Sequence, residues 1–167
     1  MEIVDGFRAK GYYTVEHRRN GKTLDIQHIR NRVVDEGLTH LLDVTFNSGA
    51  QITAWYLGIY ESNYTPAADD TAANISARSI ESTAYDETTR EIFSNAAPAG
   101  NAITNSATRA VFTMNATKTV YGCFLASASA KQSTLGTLMS VTLFTNARAV
   151  ISGDELLVTY TLTAADA

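Results

Sequence analysis

Side chains able to do catalytic or metal chemistry are few and scattered along this chain. Histidine occurs three times, at His17, His28 and His40, and cysteine once, at Cys123. A structural zinc site needs four Cys, His or carboxylate ligands at recognisable spacing. His17 and His28 fall eleven residues apart in strand-like segments, and His40 falls in a helix-like segment beside leucines. His40 follows Glu36 by four residues, the spacing of an ordinary helix-surface pair. Adjacent acids occur at Asp69-Asp70 and Asp86-Glu87, in polar stretches that lack the EF-hand pattern for calcium. Carboxylate pairs also hydrolyse glycosides, but nothing in the spacing brings two acids to the required separation. Nucleophile-elbow, P-loop and dinucleotide-binding glycine patterns do not occur. Cys123 lies in an apolar run, where a thiol is a small core residue rather than a nucleophile. The expectation is a non-enzymatic chain with no catalytic residue, cofactor or metal.

Charge is the more informative chemistry. The formal net charge is -4, which argues against direct nucleic-acid binding, because displacing phosphate counterions needs a basic stripe. The distribution is uneven. Residues 1–32 hold Arg8, Lys10, Arg18, Arg19, Lys22, Arg30 and Arg32 against Glu2, Asp5, Glu16 and Asp25, a net of +3, so residues 33–167 carry -7. A basic segment on an acidic chain fits a docking arm for an acidic partner, or simply a solvated hairpin face. Tyrosine is frequent, with eight residues that include Tyr12, Tyr13, Tyr56, Tyr60 and Tyr64. A rigid ring with a polar tip suits protein interfaces and carbohydrate stacking, and fills a β core equally well. No apolar run approaches the roughly 20 residues of a membrane-spanning helix. The opening Met1-Glu2-Ile3-Val4-Asp5 lacks a secretory leader pattern, so synthesis in a reducing cytoplasm is expected.

The elements that must position these residues are mainly strands. Gly11 to His17 and Lys22 to Ile29 read as a hairpin around Asn20-Gly21, a type I′ turn signal. Leu24, Ile26 and His28 share one face of its return strand, and the adjacent Ile29 breaks the alternation. Asp35 reads as the N-cap of a helix over 36–46, with Leu38, Leu41, Leu42 and Thr45 at helical spacing and Asn47-Ser48-Gly49 as the stop. In the strand Trp55 to Tyr60, Trp55, Leu57 and Ile59 face one way and Tyr56, Gly58 and Tyr60 the other. Residues 62–86 form a long polar excursion with a short helical turn near 71–82, a length of loop that often contacts a partner. Further strands are expected at 89–93, 107–114, 138–144 and 155–162. Another follows Lys118, with either Val120, Gly122 and Phe124 or Tyr121, Cys123 and Leu125 facing inward. Ser152-Gly153-Asp154 forms the last turn. Short strands at this spacing predict a β-sandwich or jelly roll.

A set of motifs resembles tailed-bacteriophage virion proteins. Asn31-Arg32-Val33-Val34-Asp35-Glu36-Gly37-Leu38 matches a helix start of the form N-x-V-V-x-x-G-L, and Trp55-Tyr56-Leu57-Gly58-Ile59 follows it as a W-Y-x-G-L-like strand. The resemblance continues through Tyr64-Thr65-Pro66, Tyr85-Asp86-Glu87-Thr88-Thr89-Arg90, Val120-Tyr121-Gly122-Cys123-Phe124-Leu125 and Gly153-Asp154-Glu155-Leu156-Leu157-Val158. Within that group the chain is similar in size to the capsid cement, or decoration, proteins of short-tailed phages. This resemblance implies a mainly β, jelly-roll-like sandwich over 33–167 preceded by a basic hairpin or arm over 1–32. It also implies a dimer or trimer of the chain, bound to the major capsid protein on the exterior of a virion and made in the bacterial host cytoplasm. The contact residues expected are Arg18, Arg19, Arg30, Arg32, Tyr12, Tyr13 and Tyr64. A tail or fibre component that meets the host surface, and a carbohydrate-binding module, are the alternatives.

Overall fold

The computed structural model describes residues 7–166; Glu2 and Asp5 of the basic segment lie outside them. The expected mainly β architecture is found, as two antiparallel sheets. In chain order the elements are β1 (Phe7–Arg19), β2 (Lys22–Arg30), β3 (Arg32–Val33), α1 (Asp35–Phe46), β4 (Tyr56–Tyr60) and α2 (Ala72–Ser79). They continue with β5 (Glu91–Ile92), β6 (Ala102–Thr104), β7 (Ala110–Thr113), β8 (Lys118–Ala126), β9 (Leu138–Val150) and β10 (Glu155–Asp166). The first sheet has the order β2-β1-β10-β6, with β7 also beside β10; the second has the order β3-β9-β8-β4-β5. Between them lies one core. The first sheet contributes Tyr13, Val15, Ile29, Phe112, Leu156, Val158 and Tyr160, and the second Leu57, Ile59, Val120, Cys123, Leu125, Met139 and Phe144.

The hairpin is built into the first sheet. The Asn20-Gly21 turn has positive φ at both residues, 51° and 72°, as a type I′ turn requires. From Phe7 to Arg18, β1 pairs with β10 residue for residue, so a boundary at residue 32 cuts through one sheet. The predicted inward face of β2 is also inverted: Leu24, Ile26 and His28 are exposed, while Gln27 and Ile29 are buried. The reason is register. Tyr13 and Val15 bury the odd face of β1, and Tyr13 lies opposite Ile29. A bulge opposite His17 and Arg18 then leaves Leu24 unpaired. Gln27 is tolerated inside because it works as a surrogate ladder residue at the sheet edge. Its Nε2 donates to the Asn146 carbonyl at 2.8 Å and its Oε1 accepts from the Asn146 N–H at 2.9 Å. β2 is thereby stitched to β9, closing one flank of the stack.

Both faces of the second sheet are covered, which answers why β4 carries large rings on each side. Tyr60, Phe124, Ala126, Leu138 and Val141 turn away from the central core and pack with Val34, Ala72 and Ile75 in a second cluster. The 62–86 excursion is therefore a lid over this sheet rather than a free loop. Its helix α2 starts at a reciprocal capping box between Thr71 and Asn74. Across β4 and β8, Gly58 lies opposite Phe124 and Tyr60 opposite Gly122, each ring filling the space a Cβ would need on the glycine. A bulge between Val120 and Gly122 puts Val120, Cys123 and Leu125 on the central side and Phe124 and Ala126 on the other. Neither uniform alternation read from the sequence holds through Tyr121.

Helix α1 departs from its expected cap. The N-cap is Val34, with Asp35 and Glu36 in the first turn. Glu36 faces other elements: its Oε2 accepts from the N–H groups of Ala72, at 2.8 Å, and Leu138, at 2.6 Å. One carboxylate thus ties α1 to the starts of α2 and β9. His40 does not pair with it; its ring meets Trp55 edge-on at 5.7 Å. Gly37 is the buried residue of the helix, and a Cβ there would lie 2.6 Å from the Met139 carbonyl oxygen. Of the predicted stripe, Leu41 packs on the core, whereas Leu42 is exposed, as is Phe46 at the end of the helix.

The lid is pinned by a buried ion pair. Arg90 donates through Nε and Nη2 to the two Glu81 oxygens at 2.8 and 2.7 Å. Its remaining hydrogens reach the Ala128 and Ser133 carbonyls, and its guanidinium lies 5.0 Å from the Phe124 ring centre. Glu81 also accepts from the Gln132 N–H and the Ser76 hydroxyl. Replacing Arg90 with Met leaves a buried carboxylate uncompensated. The expected loss is about 3–5 kcal/mol, read as a lower urea midpoint, and the double replacement Arg90→Met with Glu81→Leu recovers part of it.

Candidate functional site

The seven residues expected to meet a partner fall into distinct environments. Alternation along β1 decides the tyrosines. Tyr12 points out and is 44% exposed, while Tyr13 points in and is fully buried. Tyr13 is therefore no interface residue: its hydroxyl lies 2.7 Å from Ser140 Oγ and its ring packs on Tyr160 at 4.6 Å. Burial pushes its phenol up from the ordinary value. Tyr64 is half-buried against the second cluster. It donates to Asp70 at 2.5 Å, and burial followed by the Asp70 carboxylate raises its pKa. The adjacent acids Asp69 and Asp70 are both engaged by Arg78.

Arg18 and Arg19 are consumed by internal carboxylates. Asp154, which ends the predicted last turn, is completely buried. Arg19 grips it in a fork, Nε to Oδ1 at 2.7 Å and Nη2 to Oδ2 at 2.8 Å. The Ile151 N–H donates to Oδ2 at 2.9 Å, and His17 Nε2 lies 2.8 Å away. The Arg19 hydrogen bonds, then those of Ile151 and His17, hold the Asp154 carboxyl far below the usual range. Glu16 is gripped similarly by Arg18 Nε at 2.6 Å, Thr23 Oγ1 at 2.5 Å and Arg109 Nη1 at 2.5 Å. Arg18 first, then Thr23 and Arg109, bring its pKa down to about 2. These clusters lock the hairpin turn and the β9–β10 turn to the first sheet.

Arg30 and Arg32 remain. Both are exposed, and neither meets a carboxylate among the described residues. Arg30 lies opposite Tyr12 across β1 and β2, so the two share the outer face. Lys10 and His28 join them around a shallow depression of about 590 Å³ floored by Gly11, Ile29 and Asn31. Asn31 Oδ1 is buried there without a hydrogen-bond partner. Beyond the corner at Asn31, Arg32 borders a second depression of about 300 Å³ with Arg30, Thr65 and Pro66. The fold therefore brings the hairpin and the start of the 62–86 excursion together at Arg30–Arg32. Sequence reading counted Lys10 only within the basic segment, read His28 as a strand residue or a metal ligand, and did not single out Asn31 as a contact residue. Simple parity gave no signal for the face: a two-residue turn pairs odd positions with even ones, and only the bulge opposite His17 and Arg18 brings Tyr12 opposite Arg30.

This face is shallow, cationic and edged by one aromatic ring, and it lies open rather than enclosed. Among the described residues no group of three His, Cys, Asp or Glu side chains is placed to hold a metal ion, and no helix is long and apolar enough to cross a membrane. Neither a protein-family model nor a curated protein matches the chain.

The acid behaviour of the Glu16 and Asp154 clusters has a fixed sign. Both carboxyls have folded pKa values below their unfolded ones, so their stabilisation is present near neutrality and is lost as pH falls from roughly 5 toward 2. Glu16→Gln is expected to lower stability at pH 7 and to flatten the acid limb of stability against pH. Urea titrations across that window give the slope, and an unchanged slope would show that Glu16 is not held ionised.

Proposed function

We propose that this chain is a non-enzymatic structural protein of a tailed-phage particle. In this reading it is a capsid cement protein that sets its basic outer face against acidic groups of the major capsid protein and stabilises the head from outside. The observation that carries the reading is the face formed by Lys10, Tyr12, His28 and Arg30. It is built on paired strands, is free of internal carboxylate partners among the described residues, and sits on a chain that is otherwise acidic. The motif resemblance supports the same assignment. Its Gly37, Gly58, Gly122, Arg90 and Asp154 all stand at tight packing or buried-charge positions.

A jelly-roll-like arrangement belongs to this proposal. It is supported by long-range returns that place early strands beside late ones in both sheets, β1 with β10 and β3 with β9. The β8–β9 hairpin within one sheet departs from a regular roll. Cementing requires only modest contacts per copy. Exposed ion pairs contribute about 0.2–1 kcal/mol each, and a repeating shell multiplies them when one copy or oligomer spans several subunits.

The test is occupancy on purified heads. The Lys10→Glu/Arg30→Glu variant is expected to keep its thermal midpoint and to bind roughly ten- to thirtyfold more weakly, about 1.4–2 kcal/mol, with binding of the unaltered chain weakening as salt rises. Unchanged occupancy of the variant, or density for the chain at the tail instead of over the shell, would overturn the assignment.

A further inference from the structure

The first sheet keeps one stretch of open edge. β1 pairs with β10 from Phe7, opposite Asp166, to Arg18, whereas its pairing with β2 begins only at Tyr12, opposite Arg30. The chain leaves the sheet there. The Asn31 N–H makes one last bond, to the Gly11 carbonyl at 3.2 Å, and Arg32 already pairs with Val141 in the second sheet. From Phe7 to Lys10, β1 therefore has a neighbouring strand on one side only among the described residues. In an antiparallel ladder the N–H and C=O of one residue point to the same side, and that side alternates along the strand. Gly11 turns its carbonyl to the β2 side, so Ala9 and Phe7 turn their peptide groups the same way, into the open edge.

The two faces at this edge differ in chemistry. On the outer face Arg8, Lys10 and Tyr12 are exposed, and Ala9 borders the depression of about 590 Å³ that holds Lys10, His28 and Arg30. On the inner face Ala9 borders another depression, of about 280 Å³, lined by the apolar residues Leu41, Pro98, Ile103 and Leu162. Thr163, beside Ala9 on β10, also borders both. Open edges are commonly guarded by charge, lysine above all. Arg8 and Lys10 guard this one by sign: they repel a second copy of the same edge and attract a strand that carries carboxylates.

We propose that the β1 edge from Phe7 to Lys10 takes up an extended segment of a partner protein as an added antiparallel strand, the segment alternating acidic with apolar residues. Main-chain bonds to Ala9 and Phe7 hold such a strand, and its alternate side chains select it. Its acids fall opposite Lys10 and Arg8, in the pairs without hydrogen bonds, where side chains approach most closely. The residues between them face inward over the apolar depression. The proposal deepens the shell-binding reading and rests on it only for the protein that supplies the segment.

A fluorescent eight-residue peptide alternating glutamate and valine tests this on the full chain without shell protein, so failure here leaves the shell-binding reading standing. Anisotropy is expected to show saturable binding at an ionic strength of roughly 0.05 M, weakening as salt rises. In the added strand the valine N–H groups point at β1 and the glutamate N–H groups point away. N-methylation of the valine nitrogens is expected to weaken binding at least about tenfold, and that of the glutamate nitrogens less than about threefold. A peptide of equal charge, with its glutamates in one block and its valines in another, is expected to bind at least about tenfold more weakly. Ala9→Pro removes the edge N–H and no bond to β10, and is expected to keep the thermal midpoint and lose binding. Should that variant not fold, the N-methylated peptides put the same question to the unaltered chain. Absence of binding, equal loss from the two N-methylations or a reversed pattern, or equal binding of the alternating and block peptides would each overturn the proposal.

Discussion

The pairing of β1 with β10 governs what this molecule can present to a partner. Side chains alternate along a strand, so a ladder that fixes Tyr13 opposite Tyr160 and Val15 opposite Val158 also turns Lys10 and Tyr12 outward. Slipping that ladder by one residue would bury Lys10 and Tyr12 and expose Tyr13 and Val15. The cost of such a slip is large, because Tyr13 and Tyr160 lie against each other and against the second sheet. The basic face is therefore as rigid as the core behind it. The Asp154 cluster holds the far end of the same ladder, since Arg18 opposite Glu155 is its last pair.

Buried charge explains why Arg18 and Arg19 add nothing to the free positive surface. A carboxylate taken out of water must be matched by donors nearly atom for atom. Glu16, Glu81 and Asp154 are all buried. Between them they take up Arg18, Arg109, Arg90 and Arg19, along with hydroxyl, amide and imidazole groups. Guanidinium suits this task because its planar fork meets both oxygens at once. Of the seven cations in residues 1–32, Arg18 and Arg19 are taken up in this way, and Arg30 and Arg32 stand exposed at the corner where the chain passes from one sheet to the other.

The fold was more legible than the site. Short strands, the Asn20-Gly21 turn and the helical turn within the 62–86 excursion followed from local chemistry, and in the strand expected over 107–114 Ala110, Phe112 and Met114 are buried. Faces were harder wherever a bulge intervened. At Tyr121 the inward series changes parity, and opposite His17 and Arg18 the β2 series shifts, so uniform alternation misassigned Leu24 and Ile26. Asp35 looked like a cap because nothing local shows that Glu36 is held by the distant amides of Ala72 and Leu138. Arg18 and Arg19 looked like surface charge for the same reason: their partner Asp154 lies 135 residues from Arg19 in sequence. Tyr12 and Tyr13, adjacent in sequence, were separable only by the parity of one strand.

Edge strands limit how copies of such a stack can meet. An open sheet edge offers unpaired amides to any neighbouring strand and invites uncontrolled pairing. Here β2 is sewn to β9 through Gln27 and Asn146, and the exposed edges of the second sheet, β3 and β5, are two residues long. Backbone pairing across such short edges contributes little, so specificity at either flank must come from side chains. The two flanks differ in the side chains they carry, Arg32 on β3 and Glu91 on β5, so what each can meet is set by charge placement rather than by hydrogen-bonded backbone.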